Sequence, residues 1–475
     1  MLRFFSSARA FVAGAIVATS LLTVSAHAPA PANYEPTIES LNKHPLPQWY
    51  ADAKLGIFIH WGLYSVPGWA PLVHPGHDFS SQDYITNNPY AEWYLNTMRI
   101  EGSPTQRYHA EHYGADYDYY NFAPTFNRDI QRWNPETWAK IFRDAGAKYV
   151  VLTSKHHEGF TLWPSATPNP KLPVDRQHAS RDIVGELTQA VRKQGLRMGL
   201  YYSGGYDWTF VPGPIRKKQD YDSVKPQSED YGKYADAHMR ELIARYRPAV
   251  LWNDIDYPKS GHPLQIMAEY YKAVPEGVVD DRFGVLHSDF KSPEYETLDK
   301  ISPTKWEECR GLGRSFGYNR AEGEAETIAP DELIHLLVDI VSKNGNLLLD
   351  VGPESDGTIP EVQMSRLRAL GDWLHVNGQA IYGTHPWKRA TGETTDGLSV
   401  RFTSKGNVTF AILMGQPKTS SVTVKGFAPS NKGPIFLLGD TKALQWSVED
   451  GNLKVELPAD LPGKYAYVLK AFGVS

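Results

Sequence analysis

Asp254 is the residue whose type and position most directly suggest chemistry. It ends the apolar stretch Ala249-Val250-Leu251-Trp252-Asn253-Asp254, which is typical of a buried strand, and Pro258 soon afterwards cannot continue a central strand because proline has no amide hydrogen. At the C-terminal end of a strand in a parallel barrel, a carboxylate faces the substrate side and can act as a nucleophile or a base. Taken alone, the stretch fits equally well with an aspartate that caps a following helix.

Other polar and aromatic side chains also lie where apolar stretches end. A single histidine in such a place is more often a structural hydrogen-bonding group, and adjacent histidines can both face a ligand only from a loop, because neighbours on a strand point to opposite faces. The occurrence of several such groups together at the C-terminal ends of the predicted strands is harder to explain by packing alone. The candidates are His60, His156, His157, Tyr201, Trp252 and Asp254, with Glu92 and Trp93 from a long polar stretch.

The elements that must position these residues follow a repeating pattern. Apolar stretches that end near residues 154, 203 and 254 alternate with amphipathic helices, and the first helix begins at Asn134-Pro135, a cap followed by a proline suited to the first helical position. Apolar strands separated by helices indicate a parallel sheet covered on its outside. We therefore predict a (β/α) TIM-like barrel over residues 34–385, with 75–121 as a long loop insertion.

The pattern changes after Thr384. Short alternating runs separated by Gly, Pro, Asn and Asp turns, without helices between them, are typical of an antiparallel β-sandwich, which we place at residues 386–475. The predicted strands lie at 398–402, 408–413, 421–424, 435–438, 453–457 and 465–469.

The N-terminus has the features of a secretory signal peptide. Arg3 and Arg9 precede an apolar run, and Ala26-His27-Ala28 supplies a small-x-small cleavage pattern, so we assign 1–28 to the leader and 29–33 to a Pro/Ala spacer. The apolar run is short for a membrane span, which predicts an exported protein without membrane insertion, either periplasmic or extracellular.

Composition narrows the class of partner. The formal net charge is −5 and no Lys/Arg block is present, which disfavours nucleic acid. Cys309 is the only cysteine, so the chain forms no internal disulfide and must be stabilised by its core. The 13 Trp and 27 Tyr residues supply flat faces that suit sugar rings as well as ordinary cores. Nothing in the sequence indicates an oligomeric state.

Several motifs together resemble the α-L-fucosidases of glycoside hydrolase family 29. They occur in family order from about residue 45 to the end of the chain. The resemblance implies a retaining exo-fucosidase with a catalytic barrel and a C-terminal β-sandwich, no metal or organic cofactor, and fucosylated oligosaccharides or glycoconjugates as substrates. The motifs are Gly56-Ile57-Phe58-Ile59-His60-Trp61-Gly62, Glu92-Trp93-Tyr94, Lys155-His156-His157-Glu158-Gly159-Phe160, Tyr201-Tyr202-Ser203-Gly204-Gly205, Leu251-Trp252-Asn253-Asp254 and Ser315-Phe316-Gly317-Tyr318-Asn319.

The same resemblance implies roles for individual residues. The nucleophile falls on Asp254, and an arginine that approaches it falls on Arg282. The acid/base lies in a variable loop of the family and is assigned to Glu294, with Glu296 and Glu307 as rivals. The sequence departs from the family at Glu158, at Asp256-Tyr257 and at Asp350, and the second departure leaves the leaving-group preference open. The implied fucose-binding residues are His60, Glu92, Trp93, His156, His157, Tyr201, Trp252 and Arg282.

The chemistry explains why two carboxyl groups are needed. Retaining cleavage uses one to attack the anomeric carbon and another, roughly 5 Å away, to protonate the departing oxygen. An ionised Asp254 would raise the pKa of Glu294 and keep it protonated for this step. The alternatives are a metal-dependent barrel hydrolase that uses the histidines and Asp254 as ligands, and a fucose-binding lectin on a barrel without turnover.

Overall fold

The computed structural model describes residues 33–72, 81–430 and 433–474. The leader assigned to 1–28 and nearly all of the spacer lie outside these residues, so their assignments stay predictions. Within the described residues, no helix combines the length and apolar character needed to cross a membrane.

A seven-stranded parallel sheet forms the first domain, in the order β5-β4-β3-β2-β1-β7-β6. Most of these strands are buried along their whole length, as expected where helices cover the outside and side chains fill the inside. The barrel prediction is confirmed; the short β5 and the polar β6 were not predicted. The strands are β1 (Leu55–Ile59), β2 (Tyr149–Lys155), β3 (Arg197–Ser203), β4 (Val250–Asp254), β5 (Val278–Val279), β6 (Trp306–Gly311) and β7 (Gly345–Val351).

An irregular segment, 289–294, closes the gap between the edge strands β5 and β6. The Asp289 amide donates to the Val279 carbonyl of β5 over 2.9 Å. On its other side the segment forms parallel bridges to β6, Lys291 with Trp306 and Glu294 with Cys309. The sheet therefore becomes a barrel through a segment that carries one of the candidate catalytic residues.

Helices cover the outside of the barrel. Asn134 caps α7 with its side chain, as the sequence predicts, and Asp182 caps α8 in the same way. The long loop predicted at 75–121 is wrong in part, because the described portion of it contains α3, α4, α5 and short 3-10 turns. The helices are α1 (Ile38–Leu41), α2 (Gln48–Ala53), α3 (Gln82–Thr86), α4 (Tyr94–Thr97), α5 (Pro104–His112), α6 (Ala123–Asp129), α7 (Pro135–Asp144), α8 (Ile183–Lys193), α9 (Asp220–Ser223), α10 (Glu229–Tyr246), α11 (Pro263–Ala273), α12 (Pro330–Ser342) and α13 (Glu361–Asn377).

The C-terminal part is an antiparallel sandwich of a five-stranded and a three-stranded sheet, in the orders β12-β15-β10-β9-β8 and β11-β14-β13. This prediction is confirmed, with β8 and β13 in addition to the predicted strands. The strands are β8 (His385–Glu393), β9 (Ser399–Lys405), β10 (Val408–Leu413), β11 (Ser421–Val424), β12 (Phe436–Leu437), β13 (Gln445–Glu449), β14 (Asn452–Glu456) and β15 (Tyr467–Phe472).

The sandwich packs against α12 and α13. Trp373 donates its indole N–H to the Ala466 carbonyl over 2.9 Å, and Arg401 of β9 pairs with Asp339 of α12. The sandwich is therefore held against helices on the outside of the barrel. The strand register places the C-terminal ends of β3 and β4 at one level, since Tyr201 pairs with Trp252 and Ser203 with Asp254.

Candidate active site

The C-terminal ends of the barrel strands surround a pocket with a volume of about 240 Å³, which we call the barrel pocket. It is lined by every residue to which the sequence assigned a catalytic or substrate-binding role, but not by the rival acid/base candidates Glu296 and Glu307. The barrel pocket is lined by Phe58, His60, Tyr84, Asn88, Tyr90, Glu92, Trp93, His156, His157, Tyr201, Tyr221, Trp252, Asp254, Ile255, Arg282, Glu294, Cys309 and Phe316.

Asp254 ends β4 with its carboxylate held by several donors. Tyr201 Oη donates to Oδ2 over 2.8 Å, and Arg282 Nη1 donates to Oδ1 over 3.0 Å. The Ile255 amide also donates to Oδ1, over 3.0 Å, from a backbone with φ 59°. The Asp254 side chain is only 11% exposed. The three donors fix its orientation, and its small exposed part faces the barrel pocket.

Glu294 lies across Arg282 from Asp254. Tyr90 Oη donates to its Oε1 over 2.9 Å, and both terminal nitrogens of Arg282 lie 3.3 Å from its Oε2. Burial raises the pKa of Glu294, the Arg282 guanidinium opposes this rise, and the Asp254 carboxylate adds to it. The net direction favours a protonated carboxyl group, which is what a proton donor requires.

Arg282 is itself held in place by neighbouring groups. Its Nη2 donates to the Ser292 carbonyl over 2.9 Å, and its guanidinium carbon lies 4.6 Å from the centre of the Trp252 ring. A guanidinium stacked on an indole keeps its charge and its fork of donors in one plane. The bridge between Asp254 and Glu294 is therefore rigid.

The rivals for the acid/base position lie elsewhere. Glu296 is exposed, and Glu307 is fully buried inside the barrel, and neither lines the barrel pocket. Glu307 accepts hydrogen bonds from the hydroxyls of Tyr50 and Tyr149 and, over 3.3 Å, from the indole N–H of Trp252. Its carboxyl group thus holds the N–H edge of the Trp252 ring.

Glu92 comes from a 3-10 turn, Ala91–Trp93, inside the insertion. Its Oε2 accepts the Gly317 amide over 2.7 Å and the Ser315 hydroxyl over 3.3 Å. Burial raises the pKa of Glu92 to about 7. The Ser315-Phe316-Gly317 motif therefore holds Glu92, and Phe316 itself lines the barrel pocket.

His60 and His156 each have a buried carboxylate beside Nδ1. His60 Nδ1 lies 2.7 Å from Asp350 Oδ1, and His156 Nδ1 lies 3.4 Å from Glu158 Oε2. Burial lowers the pKa of His60, and the neighbouring His156 lowers it further. Two of the positions where the sequence departs from the family, Asp350 and Glu158, are thus in contact with histidines of the barrel pocket.

His156 and His157 lie just beyond β2, where both can face the barrel pocket. Their rings stack with centroids 3.9 Å apart. His157 Nδ1 lies 2.7 Å from Ser203 Oγ, and its Nε2 lies 3.9 Å from Asp254 Oδ2. The loop geometry that the paired histidines required is therefore present.

Several residues of the barrel pocket were not singled out from the sequence. Phe58 lies two residues before His60 on the same face of β1, so the strand period of two is a signal that could have found it. Tyr90 precedes Glu92 by two residues but lies outside any regular strand. No sequence signal distinguished Tyr90 from the other tyrosines of the insertion.

Within the ranges that the structure describes, no three His, Cys, Asp or Glu side chains are arranged so that they could hold a metal ion. The nitrogen atoms Nδ1 of His60 and His157 already have partners in the protein.

Comparison with known proteins agrees with this geometry. The family model described as Alpha-L-fucosidase matches residues 21–379, and the model described as Alpha-L-fucosidase C-terminal domain matches residues 393–471. The chain is 34% identical over 473 residues to the tissue alpha-L-fucosidase of Homo sapiens, a match that covers 94% of this chain and 93% of that protein.

Solved structures extend the likeness to the fold. The alpha-fucosidase of Thermotoga maritima in complex with fucose is 42% identical, with a TM-score of 0.83 over 92% of this chain and 100% of that one. The same enzyme in complex with a mechanism based inhibitor is 43% identical, with a TM-score of 0.85 over 92% and 100% of the two chains. By its sequence and by its fold, this chain belongs to the α-L-fucosidase family.

Proposed function

We propose that this protein is a retaining, exo-acting α-L-fucosidase that hydrolyses terminal α-L-fucosyl residues through a covalent fucosyl-aspartate. The observation that carries the proposal is the single guanidinium, that of Arg282, which lies within 3.3 Å of both Asp254 and Glu294 in one pocket. Two carboxyl groups that contact the same arginine nitrogen fit the separation of roughly 5 Å that retention uses better than the wider separation that inversion requires.

In the first step Asp254 attacks the anomeric carbon while Glu294 protonates the departing oxygen. Tyr201, Arg282 and the Ile255 amide donate hydrogen bonds to the Asp254 carboxylate and hold it in place for this attack. Burial and the nearby charge of Asp254 raise the pKa of Glu294 against the opposing effect of Arg282, which favours the protonated form that a proton donor needs.

In the second step Glu294 acts as a base on water. Esterification of Asp254 removes its negative charge, so the repulsion that favoured protonated Glu294 disappears while Arg282 remains. The pKa of Glu294 therefore falls, and its carboxylate can take a proton from the water that hydrolyses the ester.

The remaining residues bind the sugar. Polar groups face its hydroxyls, and contacts to the 2-hydroxyl strengthen most towards the oxocarbenium-like transition state. The aromatic faces of Trp252 and Trp93 are candidates for contact with the C5 methyl group, which would disfavour a substrate with a 6-hydroxyl by about 1 to 3 kcal/mol. The proposed binding residues are His60, Glu92, Trp93, His156, His157, Tyr201, Trp252 and Arg282.

The domain bounds, the cellular location and the substrate class are inferred from the sequence. We assign the catalytic domain to 34–385 and the sandwich to 386–475, and we infer export to the periplasm or the cell exterior from the leader at 1–28. The substrates are fucosylated oligosaccharides or glycoconjugates.

The decisive experiment replaces Asp254 by Gly and adds azide. We expect loss of activity on a chromogenic α-L-fucoside, and recovery with azide that yields a β-fucosyl azide, because azide attacks from the side vacated by the carboxylate. Asp256→Gly is the matched control, since it makes the same change two residues on in a side chain that is 53% exposed, and azide should not stimulate it.

The same substrate separates the alternatives. A lectin would bind an α-L-fucoside without releasing the chromophore, and a metal-dependent hydrolase would lose activity with a chelator. Failure of azide to restore the Asp254→Gly variant would overturn the assignment of the nucleophile.

A further inference from the structure

Ser203 lies next to His157 and has a hydrogen-bonding arrangement that determines where the His157 proton lies. The serine hydroxyl has one proton, and it donates this proton to the Tyr206 carbonyl oxygen over 2.8 Å. A carbonyl oxygen can only accept. Ser203 Oγ must therefore act as an acceptor towards His157 Nδ1, 2.7 Å away, and that nitrogen must carry a hydrogen.

His157 also remains uncharged. Burial lowers the pKa of His157, and His156, Lys155 and His60 lower it further. A neutral imidazole has one N–H, so a proton on Nδ1 leaves a lone pair on Nε2. The ring cannot turn freely, because it stacks on His156 and meets the edges of Trp93 and Trp208.

His157 Nε2 faces Asp254 Oδ2 across 3.9 Å, beyond direct hydrogen-bond distance. Both atoms are hydrogen-bond acceptors, so a hydrogen-bond donor of the substrate can bind between them. The protein itself supplies Tyr201 Oη to Asp254 Oδ2. Among the described side chains, none hydrogen-bonds to His157 Nε2, which lines the barrel pocket.

We propose that Ser203 is a positioning residue that holds His157 in the Nδ1–H tautomer, so that Nε2 accepts a hydrogen bond from the hydroxyl next to the reacting carbon of the substrate. This inference rests on the proposed function for the identity of the substrate. With Asp254 bonded to the anomeric carbon, the hydroxyl that lies beside both atoms is the one on C2.

The direction of this hydrogen bond bears on the rate. As positive charge develops on the ring, the 2-hydroxyl becomes a stronger donor, and its bond to an accepting nitrogen strengthens. A donating nitrogen would have the opposite effect. The tautomer set by Ser203 therefore stabilises the transition state more than the bound substrate.

The first test is made on the free, full-length protein. Nitrogen NMR of the histidine rings separates protonated from unprotonated nitrogens, and the His157 signals are assigned by their loss in H157Q. We expect a protonated Nδ1 and an unprotonated Nε2 near neutral pH. A protonated Nε2 would overturn the proposal and would leave the fucosidase assignment untouched.

The second test compares unreactive ligands by calorimetry: 1,5-anhydro-L-fucitol, its 2-deoxy form and its 2-deoxy-2-fluoro form. Fluorine can accept weakly but cannot donate, so we expect both changes to weaken binding about 10-fold. A fluoro form that binds within twofold of the parent would show that Nε2 donates, and a deoxy form that binds equally well would show that no such bond exists. Either result rejects the proposal.

The third test uses S203A, with S154A as the matched control. Ser154 is also fully buried and donates to a backbone carbonyl, that of Tyr201, over 2.6 Å, and among the described residues its hydroxyl has no hydrogen bond to a histidine. S203A should shift His157 towards the Nε2–H form and lower kcat about 10-fold with little change in KM, whereas S154A should leave the His157 signals unchanged. Equal His157 spectra in wild type and a folded S203A would reject the role of Ser203; if S203A does not fold, the first two tests decide.

Discussion

Arg282 Nη1 donates to Asp254 Oδ1 over 3.0 Å while its guanidinium stacks on Trp252, so the positive charge beside the proposed nucleophile is fixed in direction as well as in distance. The same guanidinium contacts Glu294, which gives the arginine opposite effects on the two steps. It stabilises the charged nucleophile, and it limits the rise in the pKa of the acid.

Replacing Arg282 by Met should therefore change both rate and pH dependence. We expect kcat/KM to fall about 10²- to 10³-fold, because a fixed charge next to the reacting groups is lost. Because Arg282 lowers the pKa of Glu294, its removal should move the basic limb of the pH profile of kcat/KM to higher pH. R368M, at an exposed ion pair with Glu361, should resemble the wild type. An unchanged basic limb in R282M would contradict the role given to Glu294.

Glu294→Ala should abolish the basic limb and lower kcat/KM about 10²- to 10⁴-fold on a substrate with a poor leaving group, and less on one with a good leaving group. Azide should restore activity on the activated substrate and form an α-fucosyl azide. The reason is that azide then attacks the covalent intermediate from the face that Glu294 vacated. E296A changes an exposed carboxylate outside the barrel pocket and should show neither effect. Azide rescue of E296A instead would reassign the acid/base.

Tyr201 and Tyr202 offer an internally matched pair. Both are buried on β3 and point to opposite faces; Tyr201 Oη donates to Asp254 over 2.8 Å, whereas Tyr202 Oη lies 3.2 Å from His238 Nδ1. Y201F should lower kcat about 10- to 100-fold, because a hydrogen bond to a charged group is lost, and Y202F should not. The measurement is kcat of both variants on the same fucoside. An equal fall in kcat for Y201F and Y202F would mean that the Tyr201 contact is only structural.

The contribution of Glu307 to stability should fall as the pH rises from about 4.5 to 7, whereas buried histidines with a lowered pKa, such as His60 and His157, contribute in the opposite direction. Burial raises the pKa of Glu307 from 4.5 to about 7, so the folded state holds a proton that the unfolded state releases in this range. The stabilisation is complete below 4.5 and is lost as the pH passes 7. Glu308 contributes in the same direction, because burial also raises its pKa to about 7.

Urea unfolding across this range provides the measurement. E307Q stays neutral and should reduce the pH dependence of the unfolding free energy by as much as about 3 kcal/mol. E296Q, at an exposed site, should keep the dependence of the wild type. A pH dependence in E307Q equal to that of the wild type would show that Glu307 is already ionised at pH 5.

Much of the fold could be predicted because its determinants are local. Asn134 and Asp182 cap helices through their own side chains, and the apolar stretches of β1 to β4 and β7 reveal buried strands directly. Strand β6 was missed because Glu307 and Glu308 make it look solvent-exposed, whereas tyrosine and tryptophan donors far away in the chain satisfy Glu307 inside the barrel. Such long-range compensation leaves no local pattern.

The residues of the site likewise fall into those that the sequence could predict and those that it could not. Asp254, His60 and the paired histidines could be predicted from their positions at strand ends, and the family resemblance supplied Glu294 and Arg282. Ser203 could not be recognised as a partner of His157, because their contact joins different strands and depends on the direction of one hydroxyl hydrogen. Glu307 was a plausible acid by type alone, and its burial away from the barrel pocket, which Glu294 lines, separates the two.

The segment 289–294 belongs to the barrel wall without being a regular strand, and its bridges to β6 are isolated ones. The register of β1 to β4 and β7 does not depend on it, so grafting longer or shorter loops between Glu294 and Trp306 should leave the proposed nucleophile Asp254 in place. Loop length after the proposed proton donor is therefore a property of this barrel that protein engineers can vary separately from the strands that carry the other residues of the barrel pocket.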